Sequence, residues 1–124
     1  MPKIAIIALV LSCLSVSEAL AKRALPEIVA PARSGDIEFR VPHSQMGFVE
    51  AWDIKRDQLV WRRQIYVVKY MVDLERDVQD VFIRSIELKD NALRVKTERQ
   101  SEYRLDLDSL EVTVFKGSLI EKSN

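Results

Sequence analysis

The side chains best suited to acid–base or metal chemistry are scarce in this 124-residue chain. It holds one histidine, His43, and one cysteine, Cys13. Zinc sites combine several histidine and cysteine ligands, and a catalytic triad needs a histidine that reaches a serine from elsewhere in the fold. Ser44 is instead the direct neighbour of His43, in the stretch VPHSQMG. We predict that His43 is a solvated loop residue, that the chain has no metal or cofactor site, and that it is not an enzyme.

Carboxylates are the remaining candidates for chemistry. Four acids crowd into one short segment, namely Asp73, Glu75, Asp77 and Asp80. An EF-hand calcium loop needs a glycine and a terminal glutamate at fixed spacing, and this segment lacks both. Arg76 lies among the acids and can neutralise them, so we interpret the segment as a solvated charged face. A small carboxylate-dependent hydrolase is the alternative, because two acids that are distant in sequence can meet in a fold.

Aromatic residues are the second group with binding potential. The stretch AWDIKRDQLVW places Trp52 and Trp61 around a charged, turn-like centre. In a hairpin we expect Leu59 and Trp61 to return to the core face that Ala51 occupies. Alternation then puts Phe48 and Trp52 on the opposite face as an aromatic strip. Either a second layer covers this strip, or it stays open as a partner-binding surface, since exposed tryptophan is typical of interfaces.

The elements that must position these residues are strands. Apolar segments recur along the chain between polar turns, and they are IEFRV, GFVEAWDI, LVWRRQIYVVKYMV, VFIRSIELK, LRVKTE, YRLDL and LEVTVF. Leu74, Val78 and Val81 have helical spacing, which allows at most one short helix within 73–80. The pattern predicts an all-β domain of about six or seven antiparallel strands, arranged as a small sandwich or a partly open barrel.

The turns between these strands carry their own signals. Asp53 is placed to accept backbone N–H bonds in the turn that follows it, and Asp57 stands where the backbone needs a left-handed residue. Asp90 and Asn91 also tolerate positive φ, so they predict a tight turn between two hairpin arms.

The first residues have the pattern of an export signal. A cationic MPK precedes the apolar run IAIIALVLSCLSV, and ALA at 19–21 has the small-x-small form of a cleavage site. A lipoprotein anchored through Cys13 is the alternative. Beyond the cleavage site, KRALPEIVAPARSGD lacks apolar periodicity. We predict a signal peptide over 1–21, a flexible leader over 22–36, a β-domain over 37–116 and a C-terminal tail over 117–124.

The charge and the cysteine content of the chain limit the partners and the cellular compartment that we expect for it. The chain has 19 basic and 19 acidic residues, and cleavage removes one of each, so the mature net charge stays at zero. A neutral chain offers no basic patch for nucleic acid. The mature part has no cysteine and no Asn-x-Ser/Thr glycosylation site. Small secreted eukaryotic domains often carry one or the other, so we predict a periplasmic or secreted protein, more typical of bacteria.

The segment 47–61 follows a family pattern. Its residues are Gly47, Val49, Ala51 and Asp53 in one strand and Leu59 and Trp61 in the next. This arrangement resembles the blade motif of pyrroloquinoline-quinone-type β-propellers. Arg56 and Asp57 stand where that family has a Thr-Gly turn. A fainter copy, RLDLDSLEV, lies 53 residues further on, near 104–112.

The resemblance implies propeller-blade-like hairpins rather than a whole propeller. A propeller closes with about four to eight blades, and this chain has residues for two at most. Because a quinone site is assembled from many blades, no cofactor residue is carried over to this sequence. A free-standing chain of this kind must cover its sheet edges, curl them into a barrel or pair them in a homo-oligomer.

Together these observations predict an exported, non-catalytic β-domain that binds a protein or cell-envelope partner. Phe48 and Trp52 are the candidate partner-binding residues. No stretch after the signal peptide is long and apolar enough for a stable membrane span.

Overall fold

The computed structural model describes residues 28–76 and 79–122. Within these ranges the chain forms ten strands, which are β1 Ala32–Ser34, β2 Ile37–Arg40, β3 Phe48–Asp53, β4 Gln58–Gln64, β5 Val67–Lys69, β6 Ile83–Lys89, β7 Ala92–Thr97, β8 Glu102–Asp106, β9 Val112–Lys116 and β10 Ile120–Lys122. The predicted signal peptide, its cleavage site and Cys13 lie outside the described residues.

The strands form two antiparallel meanders and a short parallel ribbon. Strands β1 to β4 lie side by side in chain order as the first meander, and strands β6 to β9 do the same as the second meander. Strands β5 and β10 pair in parallel, so that Val67 faces Ile120 and Lys69 faces Lys122. Each half of the chain is therefore a four-stranded meander followed by a short strand, and the two short strands join residues 53 positions apart.

The predicted all-β class is confirmed, and the sheets form a small sandwich that does not close into a barrel. The described ranges hold more strands than the six or seven predicted because β1, β5 and β10 have only three residues each. Alternation cannot be read over so few positions. None of the described residues forms a helix, and none of them could therefore cross a membrane as one.

Turn chemistry fixes the hairpins. Asp90 and Asn91 have φ of 51° and 57° and make the predicted tight turn between β6 and β7. Asp53 accepts a bond from the backbone N–H of the residue three positions on, and Asp57 has the predicted positive φ of 54°. The turn after β8 repeats this geometry, because Asp106 accepts the N–H of the third residue after it and the fourth has φ of 62°.

The core lies between the inner faces of the two meanders. Its buried hydrophobic members are Val29, Phe39, Val49, Ala51, Ile65, Tyr66, Val68, Val81, Ile83, Ile86, Leu93, Val95, Tyr103 and Leu105. In β8, buried Tyr103 and Leu105 alternate with half-buried polar residues, as expected for a strand with one covered face. The two meanders thus share one apolar layer.

Order extends beyond the predicted bounds of the β-domain at both ends. Strand β1 lies within the segment 22–36 that we expected to be a flexible leader, and it pairs with β2. Strand β10 lies within the predicted tail 117–124 and pairs with β5. Both strands have only three residues, too few for alternation to be read. The adjacent strand β2 orders β1 through a tight hairpin, and β5, which is distant in sequence, orders β10.

The segment 73–80 has turns and bends at its described positions rather than a helix, while Asp77 and Val78 lie outside the described residues. The fully buried side chain of Gln79 organises this loop. Its amide nitrogen donates to the carbonyl oxygens of Met71, Leu74 and Glu75, and its oxygen accepts the Met71 N–H. Backbone groups that a helix would have paired are thus satisfied by one side chain.

Candidate binding site

The outward face of the first meander carries the predicted aromatic residues in two cross-strand rows. One row places Trp52 between Glu38 and Leu59, and the second row places Glu50 between Arg40 and Arg62. Directly opposite residues share a face of the sheet. These rows therefore bring aromatic, acidic and basic side chains from β2, β3 and β4 together.

Leu59 lies on a different face from the one predicted. The register between β3 and β4 shifts between Ala51 and Trp52, so that Ala51 pairs with Trp61 while Trp52 pairs with Leu59. Val60 is left as the extra residue of a β-bulge, and such an insertion turns the residues beyond it to the other face. Leu59 is therefore beside Trp52 instead of beside Ala51.

Trp61 lies on the inner face, as predicted. It stands opposite the fully buried Ala51, and its ring centroid is 5.9 Å from that of Phe39 at an interplanar angle of 40°. The indole is half-buried and packs against the core from the edge strand. The small side chain of Ala51 gives the indole space to lie across the neighbouring strands.

Glu50 holds its neighbours on the outward face in place through hydrogen bonds. It is only 6% exposed, although it lies outside the core. Its Oε1 accepts the Trp52 Nε1–H at 3.0 Å, and its Oε2 accepts two bonds from Arg62, from Nε at 2.8 Å and Nη2 at 2.6 Å. Burial raises the pKa of Glu50, but the bonds from Trp52 and Arg62 and the charges of Arg62 and Arg40 outweigh it, so the pKa lies below its ordinary value.

Arg40 holds the indole of Trp52 from the other side. Its guanidinium carbon lies 5.0 Å from the ring centroid, a cation–π distance, and its Nε is 2.6 Å from Glu38 Oε1. Within these two rows, two acids therefore pair with two arginines. Trp52 is fixed in one orientation by groups that are themselves paired.

Phe48 and Trp52 do not form one continuous strip. Both are half-buried and lie on the outward face, with Glu50 between them along β3. Four residues of a strand span about 13 Å, so the two rings mark the ends of a patch whose middle is charged. Alternation alone could assign the face of Phe48 and Trp52, but the roles of Arg40 and Glu50 depend on register, which local sequence does not give.

The other candidates for chemistry are not brought together. His43 is exposed in the loop between β2 and β3, and Asp80 accepts a 2.5 Å bond from the Tyr70 hydroxyl. Asp73 and Glu75 are exposed. Among the residues that the structure describes, no group of three histidine, cysteine or acidic side chains is arranged to hold a metal ion.

A scan against models of known protein families found no match to this chain, and a search of curated proteins found none either. The likeness of residues 47–61 to a propeller blade stays a prediction. The two Asp-capped turns at Asp53 and Asp106 have the same local geometry, but the residues before them differ in orientation, since Trp52 faces outward and Leu105 is buried in the core.

Proposed function

We propose that this chain is an exported, non-catalytic β-domain that binds a protein or cell-envelope partner through the outward face of its first meander. Phe48 and Trp52 make the contact, with Arg40 and Glu50 as positioning residues. The observation that carries this proposal is the fixed, half-exposed indole of Trp52. Ordering a flexible side chain costs free energy on binding, and a ring already held by Glu50 and Arg40 avoids much of that cost.

The charge of this face favours a partner recognised by shape and apolar contact. Its acids Glu38 and Glu50 are paired with Arg40 and Arg62, so among the described residues only the exposed Arg33, opposite Glu38 in β1, adds an excess charge to this face. Binding should therefore depend weakly on salt, since screening acts on unpaired charge. Trp52, with the exposed Leu59 opposite it in β4, supplies the apolar contact.

Three acids on the outward faces lack the raised pKa that the hydrolase alternative would favour in a general acid. A general acid works best with a raised pKa that keeps it protonated. Glu50, Glu102 and Asp106 all have a pKa below the ordinary value. The Arg94 side chain lowers it at Glu102, and the backbone N–H groups of the following turn lower it at Asp106.

Site-specific photo-crosslinking in the exporting cell tests the proposal. A photoreactive residue at position 48 or 52 should capture the same partner, and one at Thr113, exposed on the second meander, should not. With that partner purified, Trp52→Ala should weaken binding by about tenfold to a hundredfold, the range of an aromatic hot spot. Equal capture from Thr113, or unchanged affinity in a folded Trp52→Ala variant, would contradict it.

A further inference from the structure

The outward face of the second meander holds a polar cavity that is separate from the candidate binding site around Trp52 on the first meander. Its volume is about 140 Å³, and its walls are the side chains of Ser85, Glu87, Lys89, Arg94 and Lys96. Strand pairing places Ser85 opposite Lys96 and Glu87 opposite Arg94, so β6 and β7 both contribute to it. A cavity of roughly 10–15 Å³ holds one water molecule, so this one admits a group of phosphate size.

The cations around this cavity differ in how they are engaged. Arg94 is fixed, because its Nη2 lies 2.6 Å from Glu102 Oε2 and its guanidinium carbon 4.7 Å from the Phe115 ring centroid. Lys96 Nζ is 4.0 Å from Glu102 Oε1, at the limit of an ion pair. Lys89 has no ion pair with any residue in the described ranges. Lys89 is thus available to an anion and Lys96 is only loosely engaged by Glu102, beside an arginine held in place.

Glu87 narrows the class of ligand. It lines the same cavity and pairs with no cation in the part of the chain that the structure describes, because the Arg94 opposite it is directed to Glu102. A carboxylate repels a bare oxyanion, but it is a strong acceptor for a hydroxyl group. A ligand that satisfies all the walls carries an anionic group and, next to it, a hydroxyl donor.

We propose that this cavity binds a phosphate monoester that has a neighbouring hydroxyl, as polyol and sugar phosphates do. The phosphate oxygens accept bonds from the ammonium groups of Lys89 and Lys96 and from the Ser85 hydroxyl. The neighbouring hydroxyl donates to Glu87. This binding is independent of any partner at Trp52, since the two sites lie on different sheets.

Titration of the ¹⁵N-labelled chain with glycerol 3-phosphate, followed by NMR, tests the proposal. Backbone signals of β6 and β7 should shift and saturate. Inorganic phosphate should bind more weakly, and sodium chloride at matched ionic strength should cause no saturable shift. Lys96→Gln should lower the affinity for glycerol 3-phosphate by about five- to tenfold, as loss of a charge-assisted bond does. Lys122→Gln removes the same charge from an exposed residue of β10 and should leave the affinity unchanged.

Glu87→Gln separates hydroxyl recognition from simple charge attraction. This variant should bind inorganic phosphate more tightly and should no longer prefer glycerol 3-phosphate over inorganic phosphate. The proposal is overturned if no saturable shift occurs in β6 and β7, if Lys122→Gln weakens binding as much as Lys96→Gln, or if Glu87→Gln leaves the preference intact.

Vesicles that carry a phosphatidylinositol phosphate distinguish a lipid source of the monoester from a soluble one. Cosedimentation that Lys96→Gln abolishes identifies a lipid headgroup, and binding of glycerol 3-phosphate alone identifies a soluble ligand.

Discussion

Tyr66 and Tyr103 stack in the core, with ring centroids 5.5 Å apart and planes 12° from parallel. Tyr66 follows β4 and Tyr103 lies in β8, so the stack joins the two halves of the chain. The Tyr66 hydroxyl donates to the Val81 carbonyl oxygen. The Tyr103 hydroxyl lies 2.5 Å from the Ser118 carbonyl oxygen and 2.7 Å from the buried carboxylate of Glu121. Two buried hydroxyls are thus satisfied at the junction of the sheets.

This stack predicts a loss of stability at alkaline pH. Burial raises the pKa of both tyrosines, and nearby negative charge raises it further. Because the unfolded chain has tyrosine pKa values near 10, it releases these protons first as the pH rises. The stabilisation is complete below about pH 10 and is lost as the pH increases toward the folded-state values. Urea unfolding at a series of pH values should show this decline.

Tyr66→Phe provides the comparison for the alkaline decline. It removes one of the two titrating hydroxyls and keeps the stacked ring, so its free energy of unfolding should fall less steeply above about pH 10. Lysine titration contributes equally to both chains and cancels in the difference. Parallel pH profiles for the variant and the parent would show that the Tyr66 hydroxyl does not contribute.

Gly47 and Gly35 allow a matched comparison of the cost of replacing a glycine that has positive φ by alanine. Both have positive φ, of 82° and 60°, but a Cβ on Gly47 would lie 2.6 Å from the Tyr66 backbone oxygen, whereas one on Gly35 would meet nothing within 4 Å. Gly35→Ala should cost about 1 kcal/mol, the penalty of a left-handed alanine. Gly47→Ala should cost about 2–4 kcal/mol, since the clash adds to that penalty. Equal costs, measured by urea unfolding, would contradict this reading of the Gly47 contact.

Features that depend on neighbouring residues could be predicted from the sequence. The all-β class follows from alternation, and the positive φ of Asp57 follows from the turn that Asp53 caps. The pairing of Ala51 with Trp61 follows from the hairpin they share. Each of these features is set within one hairpin, where the chain itself brings the residues together.

Features that depend on distant pairing could not be predicted. The bulge at Val60 reverses the face of Leu59, and no residue type at Val60 signals it. The parallel β5–β10 ribbon joins residues that are 53 positions apart, and each strand has only three residues. Glu50 would be expected in solvent on a polar face, yet the register of three strands surrounds it with Arg40, Trp52 and Arg62.

Trp61→Ala tests the inner side of the first hairpin. Full burial would give a cost of about 3–5 kcal/mol, but the indole is half-buried at the edge strand, so we expect about 2–3 kcal/mol. Trp61→Phe keeps a ring near Phe39 and should cost about 1 kcal/mol. Thermal unfolding of the parent, Trp61→Phe and Trp61→Ala measures the order of their stabilities. A melting temperature that Trp61→Ala leaves unchanged would show that the indole does not pack on the core.

Acid titration tests the bond between Glu50 and Trp52. In a Trp61→Phe background Trp52 is the only tryptophan, so its emission reports on the carboxylate that accepts its N–H. Since the pKa of Glu50 is below its ordinary value of 4.5, the emission should change with a midpoint below pH 4.5. The stability that Glu50 contributes is present above pH 4.5 and is lost as the pH falls through the folded-state pKa.

Glu50→Gln should remove the transition and cost about 1–2 kcal/mol at neutral pH, because the charge-assisted bonds from Arg62 are lost. Glu102→Gln, which changes an ion-paired acid on the second meander, should leave the transition in place. If the transition persisted in Glu50→Gln, a different acid would control the environment of Trp52.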